Sequence, residues 1–142
     1  MAESNYGKYI LRDTGGKKQD AGVSAVTTST LEGLEDWAGI QHRIKWSYIS
    51  QPNVMLDEPH THDYDEFLVF LANDASNAED FGAEVELSLG EEGEKYTINT
   101  TSVVCIPKGL IHCPLKFKKV DKPILFCNVY VSPEYVRKPV SK

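Results

Sequence analysis

The chain has 142 residues, of which 41% are hydrophobic, and its formal net charge is −6. This length is typical of one domain, which can bury a core without disulfides or a structural metal. The acidic balance and the lack of a long basic run argue against binding of nucleic acid through its phosphates. No apolar stretch approaches the roughly 20 residues that a helix needs to cross a bilayer. We therefore expect neither nucleic acid nor a membrane among the partners.

Cysteine usage and the N-terminal sequence bear on the cellular compartment. The first residues lack the apolar core of a signal peptide. Cys105, Cys113 and Cys127 are odd in number, and no two of them form a CxxC pair. An odd count without a secretion signal is typical of reduced thiols. We expect a cytoplasmic protein.

The N-terminal part of the chain is predicted to contain a loop and a short helix. Residues 12–24 are polar and rich in glycine, which is typical of a loop. Residues 30–38 predict one short helix, because Ser29 and Glu32 have the spacing of a capping box.

From residue 40 onward, the pattern of apolar residues indicates strands. Residues 40–50 alternate, so that Ile44 and Trp46 share one parity while Arg43 and Lys45 share the other. Alternation or apolar runs predict further strands over residues 66–72, 84–89, 94–99, 101–107 and 123–132.

Many short strands at regular spacing, separated by glycine and proline turns, predict an all-β sandwich or barrel. We expect residues 1–142 to form a single domain. Its barrel core spans residues 41–132, after an extended N-terminal segment (1–40) and before a C-terminal tail (133–142). A barrel of this size can hold a small cavity.

The stretch EPHTHDYDEF carries the clearest chemical signal. His60 and His62 are two residues apart, so in a strand their imidazoles point the same way. Imidazole nitrogen suits zinc, iron, nickel and copper. Glu66 could add a carboxylate oxygen, although a turn before it would leave its direction open. His112, which follows a proline-glycine turn, could supply a fourth donor.

Acidic residues surround the two histidines. They form a negative patch of the kind that attracts a divalent cation. The alternative is that they are solvated surface carboxylates, and a His-x-His pair alone is a weak signal. The acidic residues are Asp57, Glu58, Asp63, Asp65 and Glu66.

Two segments together resemble the cupin family. Residues 60–66, HTHDYDE, resemble its first motif, His-x-His followed by three or four residues and then Glu. Residues 107–112, PKGLIH, resemble its second, Pro-x-Gly-x-x-His. The two motifs occur in the family's order, and the resemblance covers about residues 54–116. It implies a small double-stranded β-helix (jelly-roll) barrel.

The resemblance also implies that His60, His62, Glu66 and His112 bind one divalent metal ion inside the barrel. Cupins of this kind are known with iron, manganese, nickel, zinc and copper, and a mixed nitrogen and oxygen donor set does not select among them. Such a set leaves one or two coordination positions open, as a catalytic site requires.

The implied activity is that of a small metalloenzyme. It would be a dioxygenase, a lyase or decarboxylase, or an isomerase, acting on a small oxygen-rich organic acid or carbonyl compound. One alternative is a metal-dependent small-molecule binder or sensor without turnover. Another is a structural or storage barrel that retains the metal motif.

Two further residues are candidates for a catalytic role. Tyr64 lies between the ligands and could donate a hydrogen bond or proton to a substrate; the alternative is an aromatic packed on the barrel rim. Lys116 stands where the family motif often has Asn, and strand parity places it on the face of His112, at the pocket mouth. The alternative is a surface lysine. By the same alternation, Cys113 should face away from the metal.

The strand over residues 66–72 is apolar on both faces, and a barrel wall has only one inside. Its outer face needs cover, so we expect a homodimer, as the resemblance to cupins also implies. The alternative cover is the N-terminal 40 residues.

Overall fold

A computed structural model describes residues 6, 7, 10, 25–32, 42–132 and 137–140. Residues 25–32 are described by their backbone alone. These parts of the chain contain eleven β-strands, and none of their segments is a helix long and apolar enough to cross a membrane. The strands are β1 (Ala25–Glu32), β2 (Arg43–Ile49), β3 (Asn53–Leu56), β4 (His60–Thr61), β5 (Glu66–Ala72), β6 (Ala83–Leu89), β7 (Glu94–Ile98), β8 (Ser102–Ile106), β9 (His112–Val120), β10 (Ile124–Tyr130) and β11 (Lys138–Pro139).

The strands form two antiparallel sheets that enclose the core. The first sheet has the order β1-β2-β10-β5-β8. The second has the order β11-β4-β9-β6-β7, and β3 also pairs with β9. Apart from β1–β2 and β6–β7, neighbours within each sheet are distant in sequence, as β5 and β10 are, so most of the barrel depends on long-range pairing. The predicted all-β barrel is confirmed.

Aromatic side chains fill one end of the space between the sheets. Phe70 stacks on Phe126 with ring centroids 4.9 Å apart, and Phe117 packs against Phe126 at 5.7 Å. Aliphatic side chains complete this cluster, which we call the packed end: Ile49, Val85, Leu115 and Ile124, each at most 1% exposed. These residues alternate along β2, β6, β9 and β10, so each strand contributes one face to the core.

At β2, the face of the first sheet that points into the barrel is more polar than the face that points outward. Ser47 and Ile49 of β2 are 2% and 0% exposed, so Arg43 and Lys45, which share their parity, face the barrel interior. The other parity of β2 carries Trp46 on the opposite side of the sheet. Aligned rows on that side form an outer apolar face, whose members are Ile44, Trp46, Tyr48, Phe67, Val69, Leu71, Val103, Cys105, Leu125, Cys127 and Val129.

The ends of the described chain differ from their prediction. The helix predicted over residues 30–38 is wrong at residues 30–32, which end β1; residues 33–38 and the predicted loop over 12–24 lie outside the described residues. β1 pairs with β2 over most of its length, so the sheet begins upstream of the predicted core start at residue 41. Residues 30–32 pair with β2 at the edge of the sheet, and this pairing outweighs the local sequence preference for a helix.

Most strand predictions were accurate within two or three residues, and β5 coincides with the predicted range 66–72. The predicted C-terminal tail contributes β11, in which Pro139 pairs with His60 of β4. β3 and β4 are too short for alternation to reveal them.

Candidate metal centre

Three buried histidines converge at the other end of the barrel interior. His60 and His112 are direct partners across β4 and β9, with ring centroids 4.3 Å apart. The ring of His62 lies 4.8 Å from that of His60 and 5.1 Å from that of His112. One ligand nitrogen from each lies within 4.8 Å of the others, and each residue is 2% exposed. One metal ion could therefore contact all three.

Glu66 reaches the same point from the first sheet. It is the first residue of β5, is 2% exposed, and places its Oε1 3.5 Å from Nε2 of His112. Three histidines from one side and a carboxylate from the other thus meet between the sheets. A carboxylate so deeply buried needs positive charge nearby, which a divalent cation would provide. The predicted set His60, His62, Glu66 and His112 forms a candidate metal site.

Hydrogen bonds fix which nitrogens face the centre. Nδ1 of His60 donates to the carbonyl of Glu58 at 2.9 Å, and Nδ1 of His112 donates to that of Leu110 at 3.0 Å. The lone pairs of both rings are therefore on Nε2. Within the described residues, Nε2 of His60 and of His112 is buried and accepts no hydrogen bond. Buried polar atoms are rarely left so, and a metal ion would satisfy both.

Burial is the main reason that the pKa of His60 is lowered to about 4. The neighbouring histidines also lower this pKa, whereas the hydrogen bond to the carbonyl of Glu58 raises it. The imidazole is therefore neutral near pH 7. A neutral imidazole is the form that binds a metal.

A tight turn in the second motif is hydrogen-bonded to the first motif. The amide of Leu110 donates to the carbonyl of Pro107 at 3.1 Å, and Gly109 has φ +84°, a conformation that favours glycine. Gly109 donates to the carbonyl of His62 at 3.0 Å. Oδ1 of Asp65 accepts a bond of 2.9 Å from the amide of Lys108. Both motifs are thereby held together just before β9 delivers His112.

Tyr64 lies beside the centre. Its ring stacks on His62 with centroids 4.8 Å apart and an interplanar angle of 19°. It also meets Tyr130 edge to face at 5.7 Å. Tyr64 is half-buried. Its predicted catalytic role stays a prediction.

The position predicted for Lys116 at the pocket mouth is wrong. Leu87 pairs with Leu115 and Leu89 with His112, so β9 carries one extra residue between those two pairs. This bulge inverts the alternation, and Leu115 and Phe117 enter the core. Lys116 therefore faces outward opposite Glu86.

Cys113 does not join the histidines. It is 3% exposed and lines a cavity of about 600 Å³ with Ser88, Pro114 and Lys95. Burial, and secondarily the charge of Glu66, raises the pKa of its thiol to about 12. Among the described residues, the cluster that could hold a metal ion consists of three histidines and does not include Cys113.

The structure also brings residues to the interior that the sequence did not assign to the site. Tyr130 pairs with both Glu66 and Arg43, and Asn128 pairs with Lys45. The sequence feature that corresponds to them is the set of polar residues at alternate positions of residues 41–47. The apolar side chains of a strand usually face the core, whereas in β2 the polar ones do.

No protein-family model matches the chain, and no curated protein matches its sequence. Solved structures do match its fold. The polyketide cyclase RemF from Streptomyces resistomycificus is 14% identical with a TM-score of 0.54, and the match covers 100% of this chain and 88% of that one. Rru_A2000 from Rhodospirillum rubrum, a cupin-2 domain, is 11% identical with a TM-score of 0.52, covering 90% and 74%.

A third match is an oxalate decarboxylase from Bacillus subtilis that has Mn(II) centres. It is 10% identical with a TM-score of 0.52, and the match covers 83% of this chain. This chain spans only 29% of the length of that enzyme. Together, these similarities show that the chain has the fold of the cupin superfamily, as its two motifs predicted.

Proposed function

We propose that the protein is a small metalloenzyme with one divalent metal ion held by His60, His62, Glu66 and His112. It would act on a small oxygen-rich organic acid or carbonyl compound as a dioxygenase, a lyase or decarboxylase, or an isomerase. The observation that carries the proposal is the pair of buried Nε2 atoms, on His60 and His112, that accept no hydrogen bond from the described residues. Nε2 of His112 also lies 3.5 Å from Oε1 of the buried Glu66.

The chain's own groups would prepare the site in two ways. The carbonyls of Glu58 and Leu110 hold the imidazoles of His60 and His112 in one tautomer, so no reorganisation is needed on binding. Tyr64, half-buried beside His62, would donate a hydrogen bond or proton to the substrate. A bound divalent ion would polarise a substrate oxygen as a Lewis acid.

Iron, manganese, nickel and zinc all fit a donor set of three imidazoles and one carboxylate. The Mn(II) centres of the Bacillus subtilis oxalate decarboxylase make Mn(II) the first ion to test and oxalate one of the first substrates. Open coordination positions on the ion would accept a carboxylate, enol or hydroxyl oxygen of the substrate.

The test loads the purified protein with Mn(II), Fe(II), Ni(II) or Zn(II). O₂ uptake and CO₂ release are then followed with small carboxylic acids and diketones. We expect about one bound ion per chain by elemental analysis. His112→Ala should lose it, and His42→Ala, the same change outside the cluster, should retain it. Absence of metal binding by the wild type would overturn the proposal. Ligand-induced thermal shifts without turnover would instead favour a small-molecule binder or sensor.

We also propose that the protein is a homodimer whose subunits meet through the outer apolar face. Phe67 and Val103 in that face are 38% and 65% exposed, and the rows around them are apolar throughout. Contiguous exposed apolar surface is typical of a protein–protein interaction site. The backbone of β1 lies at the edge of this sheet, beside β2, so it extends the sheet in its own plane.

Sedimentation at micromolar concentration tests the dimer. Phe67→Glu should dissociate it, whereas Val54→Glu should not, because Val54 lies on β3 of the other sheet and is 52% exposed. A wild-type protein that sediments as a strict monomer would contradict the proposal. The predicted cytoplasmic location stays a prediction; Cys105, Cys113 and Cys127 are free thiols, as it requires.

A further inference from the structure

Two cations line the barrel interior on the same sheet as Glu66. Glu66, Tyr130 and Arg43 form one row across β5, β10 and β2, because Tyr130 pairs directly with each of the other two. The next row along these strands contains Leu68, Asn128 and Lys45. Residues paired directly across antiparallel strands lie on the same face. Arg43 and Lys45 therefore face the space that the metal centre shares.

Strand geometry gives the scale of this arrangement. Two strand spacings separate the Cα atoms of Glu66 and Arg43 by about 10 Å, and Lys45 lies roughly 7 Å further along β2. An extended lysine side chain spans about 6 Å of that separation. The distance that remains between the ammonium of Lys45 and Glu66 is therefore on the scale of a molecule of a few carbon atoms.

The surroundings of Lys45 are unusual for a lysine. It is half-buried, between the buried Ser47 and Asn128. Among residues 42–132 and 137–140, the ion pairs join other lysines or a histidine to carboxylates, and none includes Lys45. Burial, and secondarily the charge of Arg43, lowers the pKa of its ammonium. The fold thus places the ammonium of Lys45 inside the barrel beside a second cation, Arg43, where its desolvation is unfavourable.

The chain as a whole is acidic, which does not favour the binding of anions. Its formal net charge is −6, so its long-range field repels them. A site for an anion on such a protein requires cations placed locally. Lys45 and Arg43 provide them on the inward face of the first sheet, where they pair across the strands with Asn128 and Tyr130.

We propose that Lys45, with Arg43 beside it, binds the carboxylate of a small organic dianion whose other end lies at the metal centre. The inference rests on the proposed function for the role of that second end. It narrows the substrate class from oxygen-rich acids and carbonyl compounds to small dicarboxylates. Lys45 is then a residue that determines specificity, and the carboxylate it binds is held away from the metal ligands.

The experiment measures the affinity of oxalate, malonate, succinate and glutarate by calorimetry, with Mn(II)-loaded and with metal-free protein. Lys45→Met keeps the length of the side chain and removes its charge, and Lys45→Arg restores the charge. Lys119→Met is the matched control, because it makes the same charge change at an exposed lysine paired with Asp121. The diamide of the best dicarboxylate serves as the uncharged ligand.

We expect at least one dicarboxylate to bind, with an affinity that falls as salt is added. Lys45→Met should weaken it by about tenfold or more, since a charge-assisted hydrogen bond is lost. Lys45→Arg should recover most of this loss, Lys119→Met should have no effect, and the diamide should not bind. The metal content should be the same in all variants.

Equal affinity for wild type and Lys45→Met would overturn the inference, as would the lack of binding by any dicarboxylate. Failure of the proposed function gives a different result, namely a wild-type protein that binds no metal. In that case, the Lys45 comparison in metal-free protein still decides whether the cations form an anion site. Thermal unfolding of each variant establishes that it is folded.

Discussion

The two ends of the barrel interior are built from the same strands but differ in composition. At the packed end, Phe70, Phe117 and Phe126 pack against one another, with ring centroids at most 6.4 Å apart. At the site end, the same β5 and β9 begin with Glu66 and His112, both buried. Hydrophobic burial favours the first arrangement, whereas desolvation of polar groups opposes the second. The packed end therefore stabilises the scaffold that maintains the costly site end.

This difference predicts separable effects of substitution. A change at the packed end should reduce stability and alter metal affinity only through unfolding. A change at the site end should abolish ligand binding and cost little in stability of the metal-free protein. Stability and function trade against each other at polar sites of this kind.

The largest expected effect on stability is at the packed end. Phe126 is 1% exposed and contacts both Phe70 and Phe117. Phe126→Ala should lower the free energy of unfolding by about 3–5 kcal/mol, because it removes buried area and leaves a cavity. Urea titration of metal-free protein measures it. Phe67→Ala, on the outer apolar face, is the control and should cost less in the monomer. A loss under about 1 kcal/mol for Phe126→Ala would contradict this assignment of the core.

At the site end, the largest effect should be the loss of stabilisation by metal. Metal at a thousandfold excess over its Kd should stabilise the wild type by about 4 kcal/mol. His112→Ala should lose that increment and leave the metal-free stability nearly unchanged, since it also removes a buried Nε2 that accepts no hydrogen bond from the described residues. Thermal unfolding with and without Mn(II) measures both. A large loss in metal-free His112→Ala would show that the histidine cluster belongs to the stabilising core.

Acidification should affect the site end first. The pKa of His60 is lowered to about 4 in the folded protein, so between pH 6.5 and 4 the unfolded chain binds more protons. Stability of the metal-free protein should thus be fully present above pH 6.5 and decline as pH falls, by up to about 3 kcal/mol from this residue. Urea titration at several pH values measures the decline. His60→Gln should reduce it, and an unchanged decline would contradict the assignment.

The site end was predictable because its signal is local. The spacing of His60, His62 and Glu66, and the turn before His112, require only that two short segments meet in a barrel. The orientation of β2 was not predictable in this way. Its apolar parity, with Trp46, faces outward and its polar parity inward, and that choice depends on its pairing with β10, which is distant in the chain.

Lys116 illustrates the same limit on a smaller scale. One extra residue in β9, between His112 and Leu115, reverses every later side chain of the strand. The letters HCPLK carry no alternation that would reveal the bulge. β1 was missed for a related reason, since the capping-box spacing of Ser29 and Glu32 is a local helix signal that sheet pairing overrode.

The smallest expected effect concerns the turn that joins the two motifs. Asp65 is exposed, yet its Oδ1 accepts the hydrogen bond from the amide of Lys108, and its own carbonyl accepts one of 3.1 Å from Val131. Asp65→Ala should cost about 1 kcal/mol of stability. It should also weaken metal binding several-fold, because the turn positions His112 against His62 through Gly109.

Asp63→Ala provides the control for Asp65→Ala. Asp63 has the same side chain, is two residues away and is also exposed, but its carboxylate pairs with Lys138 of β11 rather than with the turn. It should lose little stability, as is usual for an exposed ion pair, and should keep its metal affinity. Metal titration of the two variants measures the difference. If both weakened binding equally, the effect would be due to the negative charge near the site, and the turn would have no positioning role.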